Sequence, residues 1–287
     1  CLMPQEAQDF ETLVAYVKQF LLHFVRACWN NTDLLQLMRS DSDRKVQQYA
    51  DTYRTLVKNY ISKQTGYELA VQQARELQQI ADTEALRALK PSGLLTLLEN
   101  ACMAQQALNT FVAPLAAQHS GLALEGKLKG AYRLLEKALR CMSGPVDELE
   151  TQWSMEKSND CARASVQFSS MLHTADCIAH LRRSHTQGDI KLLQVKDRYS
   201  KPTGGGWSDF VVIFNFTSGA GANVPCELQI VHEKLMVARK GLNAHAAYDS
   251  FRAACEMLQM AATLGTSVPP TTKAASMGNT AKIEMLQ

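Results

Sequence analysis

The sequence has no apolar run long enough to cross a bilayer, and its start lacks the basic, apolar and small-residue pattern of a secretory leader. A soluble protein of a reducing compartment, cytoplasm or organelle interior, is expected. There is no Cys-x-x-Cys pair either. The eight cysteines (1, 28, 102, 141, 161, 177, 226 and 255) are scattered, which gives no basis for a structural zinc site. Several, such as Cys226 and Cys255, sit among apolar neighbours, so buried free thiols are expected. An excess of one charge is also missing: 30 Lys and Arg face 28 Asp and Glu. A net charge of +2 makes no general case for nucleic acid, so any anion site must be local. The chain opens on Cys1 rather than Met, so a fragment or a processed product is expected.

What is present is enough for one or two domains with a sizeable core: 287 residues, 46% of them apolar. Residues 5 to 29 carry an amphipathic stripe (Phe10, Leu13, Val14, Val17, Phe20, Leu21, Phe24, Val25) that predicts a helix. After Asn30, Asn31 and Thr32 a short helix is predicted over Asp33 to Met38. A longer one follows, capped by Asp41 or Ser42, with Val46, Tyr49, Ala50, Tyr53, Leu56, Val57, Tyr60 and Ile61 inward. Further helices are predicted over Tyr67 to Ile80, Thr83 to Leu89 and Leu94 to Val112, the last ended by Pro114 and the Ser120-Gly121 break. Residues 1–120 thus read as an all-helical region, better suited to packing or partner binding than to catalysis.

A helix over 122–142 would carry Lys127, Lys129, Arg133 and Lys137, with Arg140 beyond. Lys129, Arg133 and Lys137 recur every four residues and so would line one face, where an anion could gather them. Ser143-Gly144-Pro145 breaks the chain, and a short acidic helix is predicted over Val146 to Glu156. Asp160 opens a predicted strand running to Phe168, the helix Ser170 to Ser184 follows, and Gly188 closes it. Together with the next strand these make a β-α-β unit.

From Asp189 to His232 three β-branched runs (Ile190 to Val195, Phe210 to Phe216, Val224 to Val231) alternate with loops rich in Gly, Pro and Ser, the pattern of neighbouring strands. Between them lie features that a core alone does not require. These are Lys196-Asp197-Arg198-Tyr199, then Pro202-Thr203-Gly204-Gly205-Gly206-Trp207, and a carboxylate inside Pro225-Cys226-Glu227-Leu228-Gln229-Ile230. Helix is predicted again over Glu233 to Met260, with a possible break at Gly241. Residues 265–287, rich in Ser, Pro, Thr, Ala and Gly, read as an extended or disordered tail.

In this order the Lys-Asp-Arg-Tyr, Pro-Thr-Gly-Gly-Gly-Trp and Glu-Leu-Gln-Ile elements resemble the synthetase domain of the RelA/SpoT family, over residues 125 to 260. The resemblance implies an α+β fold: a helical N-terminal bundle (1–120), then a nucleotidyltransferase-like mixed sheet flanked by helices (121–264). It implies transfer of pyrophosphate from ATP to the 3′-hydroxyl of GDP or GTP. By the resemblance Asp160 and Glu227 would hold Mg²⁺, and Glu227 would also orient or deprotonate the acceptor hydroxyl. Lys129, Arg133 and Lys137 would bind ATP phosphates and adenine. Lys196 and Arg198 would meet phosphates, and Trp207 would stack on the acceptor base. His245 resembles a family histidine, although a structural helix residue is the commoner use. Residues 1–120 have no His-Asp dipeptide, so the family's hydrolase half is not expected.

Plain alternatives stand beside each residue. Asp160 is also what a loop cap looks like. Glu227, costly if buried alone, would be equally content with Arg163 or Arg198. Trp207 would serve as a turn anchor. The sequence also departs from the family on the acceptor side, where Thr203, Gly205 and Val211 replace a lysine, an asparagine and a histidine. GDP or GTP is therefore not assured, and another nucleotide or a tRNA 3′ end would also offer a hydroxyl. A catalytically degenerate module within a larger assembly, with partners on the N-terminal helices, is the other reading, and a nucleotide sensor without turnover is a third.

Overall fold

The computed structural model describes residues 31–88, 94–130, 133–134, 158–219, 221–222 and 224–242, with isolated helical positions between 8 and 20 and between 250 and 258. Lys137, Arg140, the acidic helix expected over Val146 to Glu156, His245 and the tail lie outside the described residues. Of the helix expected over 5–29, Gln8, Thr12, Leu13, Ala15, Tyr16, Gln19 and Phe20 are described and helical. Leu13 and Phe20, expected in its apolar stripe, are exposed.

Helix α1 spans Thr32–Asn59 without interruption. Two helices were expected here, with Asp41 or Ser42 capping the second. Asp41 instead holds Arg44 at 3.0 Å and Lys45 at 2.9 Å along the same helix, and Ser42 is buried. With those side chains bonded or packed inside the helix, nothing interrupts it. Val46, Ala50, Tyr53 and Ile61 are buried as the stripe predicted, whereas Tyr60 at its end is exposed. Helix α2 (Tyr67–Ile80) starts from Gly66, and the short α3 (Thr83–Ala88) follows. Helix α4 covers Leu94–Gln118 with Pro114 inside it, longer than predicted. A proline there removes a hydrogen bond and costs about 3 kcal/mol. Burial of Leu115 and Ala116 beyond it offsets that cost, and the exposed Thr110, which loses its partner, keeps its carbonyl in water.

The chain is α+β. Its mixed five-stranded sheet has the order β1-β2-β5-β4-β3, with β1 Leu122–Leu124, β2 Ala162–Phe168, β3 Ile190–Asp197, β4 Phe210–Phe216 and β5 Cys226–His232. β2 and β5 are parallel, and the remaining neighbours are antiparallel. Helix α5 (Met171–Gln187) joins β2 to β3. The Ser170 side chain accepts from the Leu172 N–H to start it, and Gly188, at φ 84°, ends it. Helix α6 (Glu233–Gly241) leaves β5 directly.

One side of the sheet is apolar. Ala162, Ala164, Val166, Phe168, Cys226, Leu228, Ile230, Phe210, Val212 and Phe214 form one core cluster with side chains of α1, α2, α4 and α5. Helices and sheet therefore share a core rather than standing apart. On the other side, among the described residues, a small apolar cap of Leu86 from α3 with Leu193, Val211 and Ile213 covers only the β3–β4 region.

The helix expected over 122–142 is not formed over 122–130, and residues 131–132 and 135–142 lie outside the described residues. Residues 122–124 form β1, paired antiparallel with Ser165, Val166 and Gln167. Residues 125–130 run irregularly along β2, where the Lys129 N–H donates to Cys161 O at 3.1 Å. Gly126 passes so close to the Arg163 carbonyl that no side chain would fit. Pairing along an otherwise open sheet edge outweighs the helix propensity of the segment. Arg133 and Leu134 are helical.

Helix α1 also presses directly on the glycine turn. Gly206 has φ 74°, and a Cβ there would lie 2.7 Å from the Ala50 backbone. Gly188 has a similar φ but open space around it. Gly188→Ala should cost about 1 kcal/mol through backbone strain alone. Gly206→Ala should cost clearly more, because α1 must also shift. Urea melts of the two variants check this ranking, and equal losses would show that α1 does not clamp the turn.

Candidate functional site

The half-open face of the sheet is built by strand register. Residues paired across strands point the same way. One row reads Gln194, Ile213, Glu227, Arg163, and the next reads Lys196, Val211, Gln229, Ser165. Beyond them Arg198 meets Asp209, its N–H donating to Asp209 O at 2.9 Å. Charged and amide side chains therefore occupy alternate positions on strands whose intervening residues are sealed in the core. From Glu227 to the Asp209 row is about 13 Å along the strands.

At one end stands Asp160, just before β2. Its Oδ2 takes a 2.5 Å ion pair from Lys129 Nζ, and the Lys129 side chain is only 10% exposed. The irregular course of 125–130 places this lysine, so its role does not depend on a helical face. Arg163 Nε donates to Lys127 O at 3.2 Å, tying the same segment to β2. Gln105 of α4 brackets the Arg163 backbone, accepting from its N–H at 2.9 Å and donating to its carbonyl at 3.0 Å.

Glu227 is half-buried beside this pair. Its Oε1 accepts from Gln229 Nε2 at 3.0 Å. Burial pushes its carboxyl above the ordinary glutamate value of 4.5, and the nearby Asp160 pushes it further. Arg198 pulls it back, Asp209 adds to the rise, and the Gln229 bond opposes it. Two carboxylates close enough to disfavour each other's charge, with Lys129 and Arg198 alongside, are a donor set that suits Mg²⁺. No three His, Cys, Asp or Glu among the described residues are grouped to enclose an ion. Mg²⁺ does not need such a cage, since it keeps waters and phosphate oxygens and takes one or two protein carboxylates.

The other end is locked. Asp209, fully buried, receives Arg198 Nη1 at 3.1 Å and Trp207 Nε1 at 2.9 Å. The Trp207 ring meets Tyr53 of α1 edge-on at 5.3 Å and carries Arg239 of α6 at 5.1 Å. Trp207 and Thr203 close the glycine turn through paired hydrogen bonds. The turn-anchor alternative for Trp207 thus has full physical support, and Arg198 has Asp209 as its salt-bridge partner. Val211 is buried in the α3 cap. Lys196 lies one strand from Val211 and two from Gln229, half-buried, on the same face.

Asp209 is the functional neighbour that sequence reasoning missed. The available signal was a carboxylate placed just before the apolar run Phe210 to Phe214, two residues after the tryptophan. Asp160, Lys129, Glu227 and Arg198 are brought into one electrostatic neighbourhood. Arg133 is described as helical, and Lys137 lies outside the described residues.

These observations define an α+β protein with a mixed sheet, one of whose faces carries a carboxylate pair and several cations. Solved structures similar to it include three of related kinds. One is the Type VI effector Tas1 in complex with its immunity protein, at 19% identity and TM-score 0.37, covering 57% of this chain and 77% of that one. Another is the small alarmone synthetase 1 from Bacillus subtilis bound to its product pppGpp, at 15% identity and TM-score 0.37, covering 57% and 91%. A GTP pyrophosphokinase family protein from Streptococcus pneumoniae matches at 14% identity and TM-score 0.36, covering 57% and 88%. At these identities and TM-scores the likenesses place no residue and assign no substrate. No protein-family model and no curated protein matches the sequence. No described helix is long and apolar enough to cross a membrane. Among the described cysteines Cys161, Cys177 and Cys226 are buried free thiols, while Cys255, expected to be buried, is only partly so and Cys102 is exposed.

The strained protonation of Glu227 has a measurable consequence. Unfolded, the carboxyl returns to its ordinary value, whereas folded it holds its proton to higher pH. Across that window the folded state binds more protons, so stability falls as pH rises through it, and the penalty grows from the ordinary glutamate value upward. Glu227→Gln keeps an acceptor for Gln229 and removes the charge. The variant should melt higher than wild type at pH 7, by roughly 2–4 °C per kcal/mol relieved. The gap should close as pH drops below the ordinary glutamate range. A gap independent of pH would mean that the carboxylate is not under pressure.

Proposed function

We propose that the chain is a nucleotide-binding transferase that moves pyrophosphate from Mg-ATP to the 3′-hydroxyl of a nucleotide of the GDP or GTP kind. The observation that carries this reading is the meeting of Glu227 with Asp160 on the half-open face, with the buried Lys129 beside them. Such a set suits a triphosphate and its metal better than a core. Mg²⁺, when bound by Asp160 and Glu227, would neutralise the triphosphate oxygens and polarise the phosphorus under attack.

The remaining steps fall to the chain's own residues. Lys129, Arg133 and Lys137 hold the donor phosphates, and Lys129 exchanges its pairing with Asp160 for them. Lys196 and Arg198 serve the acceptor's phosphates, and Trp207 borders its base. The acceptor 3′-oxygen attacks the β-phosphorus of ATP, forming one O–P bond. The bond from that phosphorus to the α–β bridging oxygen breaks, and AMP departs. The hydroxyl proton passes to Glu227 at Oε2, since Oε1 is engaged by Gln229. Burial that raises the affinity of Glu227 for a proton makes it a better base for this step.

A second reading has its own observation. Arg198 is bonded to Asp209, and Trp207 is covered by Arg239 and Tyr53, so the acceptor end of the face is filled by the protein itself. A catalytically degenerate domain kept as a binding or structural module would look like this, with the α1 surface available to a partner.

One assay separates the two. The full chain is incubated with Mg²⁺, ATP and a panel of guanine and adenine nucleotides, and AMP is measured. The transferase reading expects AMP in step with a pyrophosphorylated product. Glu227→Gln should lower the rate by about 10²-fold or more while the protein stays folded. Absence of AMP across the panel, together with calorimetry showing no Mg-ATP binding that Asp160→Ala abolishes, would leave the module reading standing.

A further inference from the structure

The helical layer on the far side of the sheet from Glu227 holds a second cluster that pyrophosphate transfer does not use. Three of the chain's seven histidines meet there. His119 follows the end of α4, and His173 and His180 lie on α5, with Asp176 between them. The steps from 173 to 176 to 180 keep these three on one helix face. His119 Nε2 and His180 Nδ1 are 3.2 Å apart, with ring centroids at 5.3 Å and planes at 86°. His173 Nδ1 is buried with no hydrogen-bond partner.

The turn carrying His119 is tightly specified. The His119 and Gly121 N–H groups both donate to Ala116 O, at 3.1 and 2.8 Å. Ser120 between them adopts φ 56°, where a side chain is uncommon. Gly121 packs on Phe168 so closely that a Cβ would lie 2.4 Å from its ring. His119 is therefore held over α5 by backbone geometry rather than carried on a loose end. His180 borders a surface groove beside Phe111, Pro114 and Leu115, which leaves its ring open to solutes.

We propose that His119 and His180 form a binding site for one divalent late first-row transition ion (Cu²⁺, Ni²⁺ or Zn²⁺). Two imidazole nitrogens on a tetrahedral ion with bonds near 2.0–2.1 Å lie about 3.3 Å apart, close to the separation found here. The rings are also kept in the ligating, neutral form. Burial lowers the proton affinity of both; Asp176 opposes this at His119, where Arg183 and His173 add to it, and at His180 His119 and Arg183 add to it. The charged and titratable groups facing them are Asp176, Arg183 and His173, of which only Asp176 favours protonation, and only of His119. For an ion to enter, the proton between Nε2 and Nδ1 moves to the other nitrogen of its own ring, so both imidazoles stay neutral and present a lone pair. Asp176, four residues before His180, is placed to balance its charge. No three ligating groups among the described residues already enclose an ion, so water completes the shell. Nitrogen donors favour the late transition ions over Mg²⁺ and Ca²⁺, which take oxygen.

The full chain, titrated with CuCl₂ and separately with ZnCl₂ by calorimetry, should bind one ion at this pair. The Cu²⁺ complex should show two coordinated nitrogens by electron paramagnetic resonance. His119→Gln keeps a polar partner for His180 but supplies a poor ligand, and His180→Ala removes the other nitrogen. Each should weaken binding about tenfold or more, since each removes one of the two imidazole donors. His185→Ala should leave binding unchanged, because that ring, though on the same helix as His180, faces Ile190 O at the start of β3. Circular dichroism melts confirm that the variants are folded, and should His180→Ala unfold, His119→Gln carries the test alone. Absence of saturable binding, or binding that His119→Gln leaves intact, overturns the proposal.

Discussion

The pairing register of β2 with β5 governs the rest of the structure. Arg163 stands opposite Glu227 and Ser165 opposite Gln229, while Ala162, Ala164, Cys226 and Leu228 turn the other way into the core. A slip of one residue would exchange the two sets, burying carboxylate and guanidinium under the helices and leaving leucine and alanine in water. Burial of several side chains, each worth about 1.5–3 kcal/mol, opposes that slip. The same energy that forms the core therefore selects which charges share the open face. The candidate site is a consequence of the apolar pattern.

On that face two kinds of electrostatic arrangement coexist. At the Asp160 end Glu227 is pushed towards protonation, and Lys129 is held against Asp160. At the Asp209 end the charges are interlocked, with Arg198, Trp207 and Asp209 bonded together and Arg239 resting on the indole. The first arrangement favours a cation or a phosphate. The second favours rigidity, and it lies where helices α1 and α6 close over the glycine turn. The two ends lie about 13 Å apart along the same strands.

The resemblance rested on the order of short motifs, and the strands bearing them appeared where alternation and turn residues predicted. Phe210–Phe216 matches the predicted limits, and Ile190–Asp197 extends them by two residues. Strand boundaries were legible because β-branched runs and Gly-rich loops act locally. Less legible was the segment from Leu122 to Gly130. Its lysine spacing suits a helix, but the open edge of β2 offered hydrogen bonds that local sequence does not announce. The reach of α4 past Pro114 was hidden for a similar reason, since the burial of Leu115 and Ala116 depends on what lies beneath them.

By itself the sequence determined the apolar alternation of the strands, the caps at Ser170 and Gly188, and the chemical identity of the groups that share the polar face, because these are properties of nearby residues. Only the tertiary structure decided that Lys129 faces Asp160 from an irregular edge, that Asp209 captures Arg198, and that His119 meets His180. Each of those pairs joins residues distant along the chain or separated by a turn. Their meeting is fixed by packing and pairing energy that no local window contains.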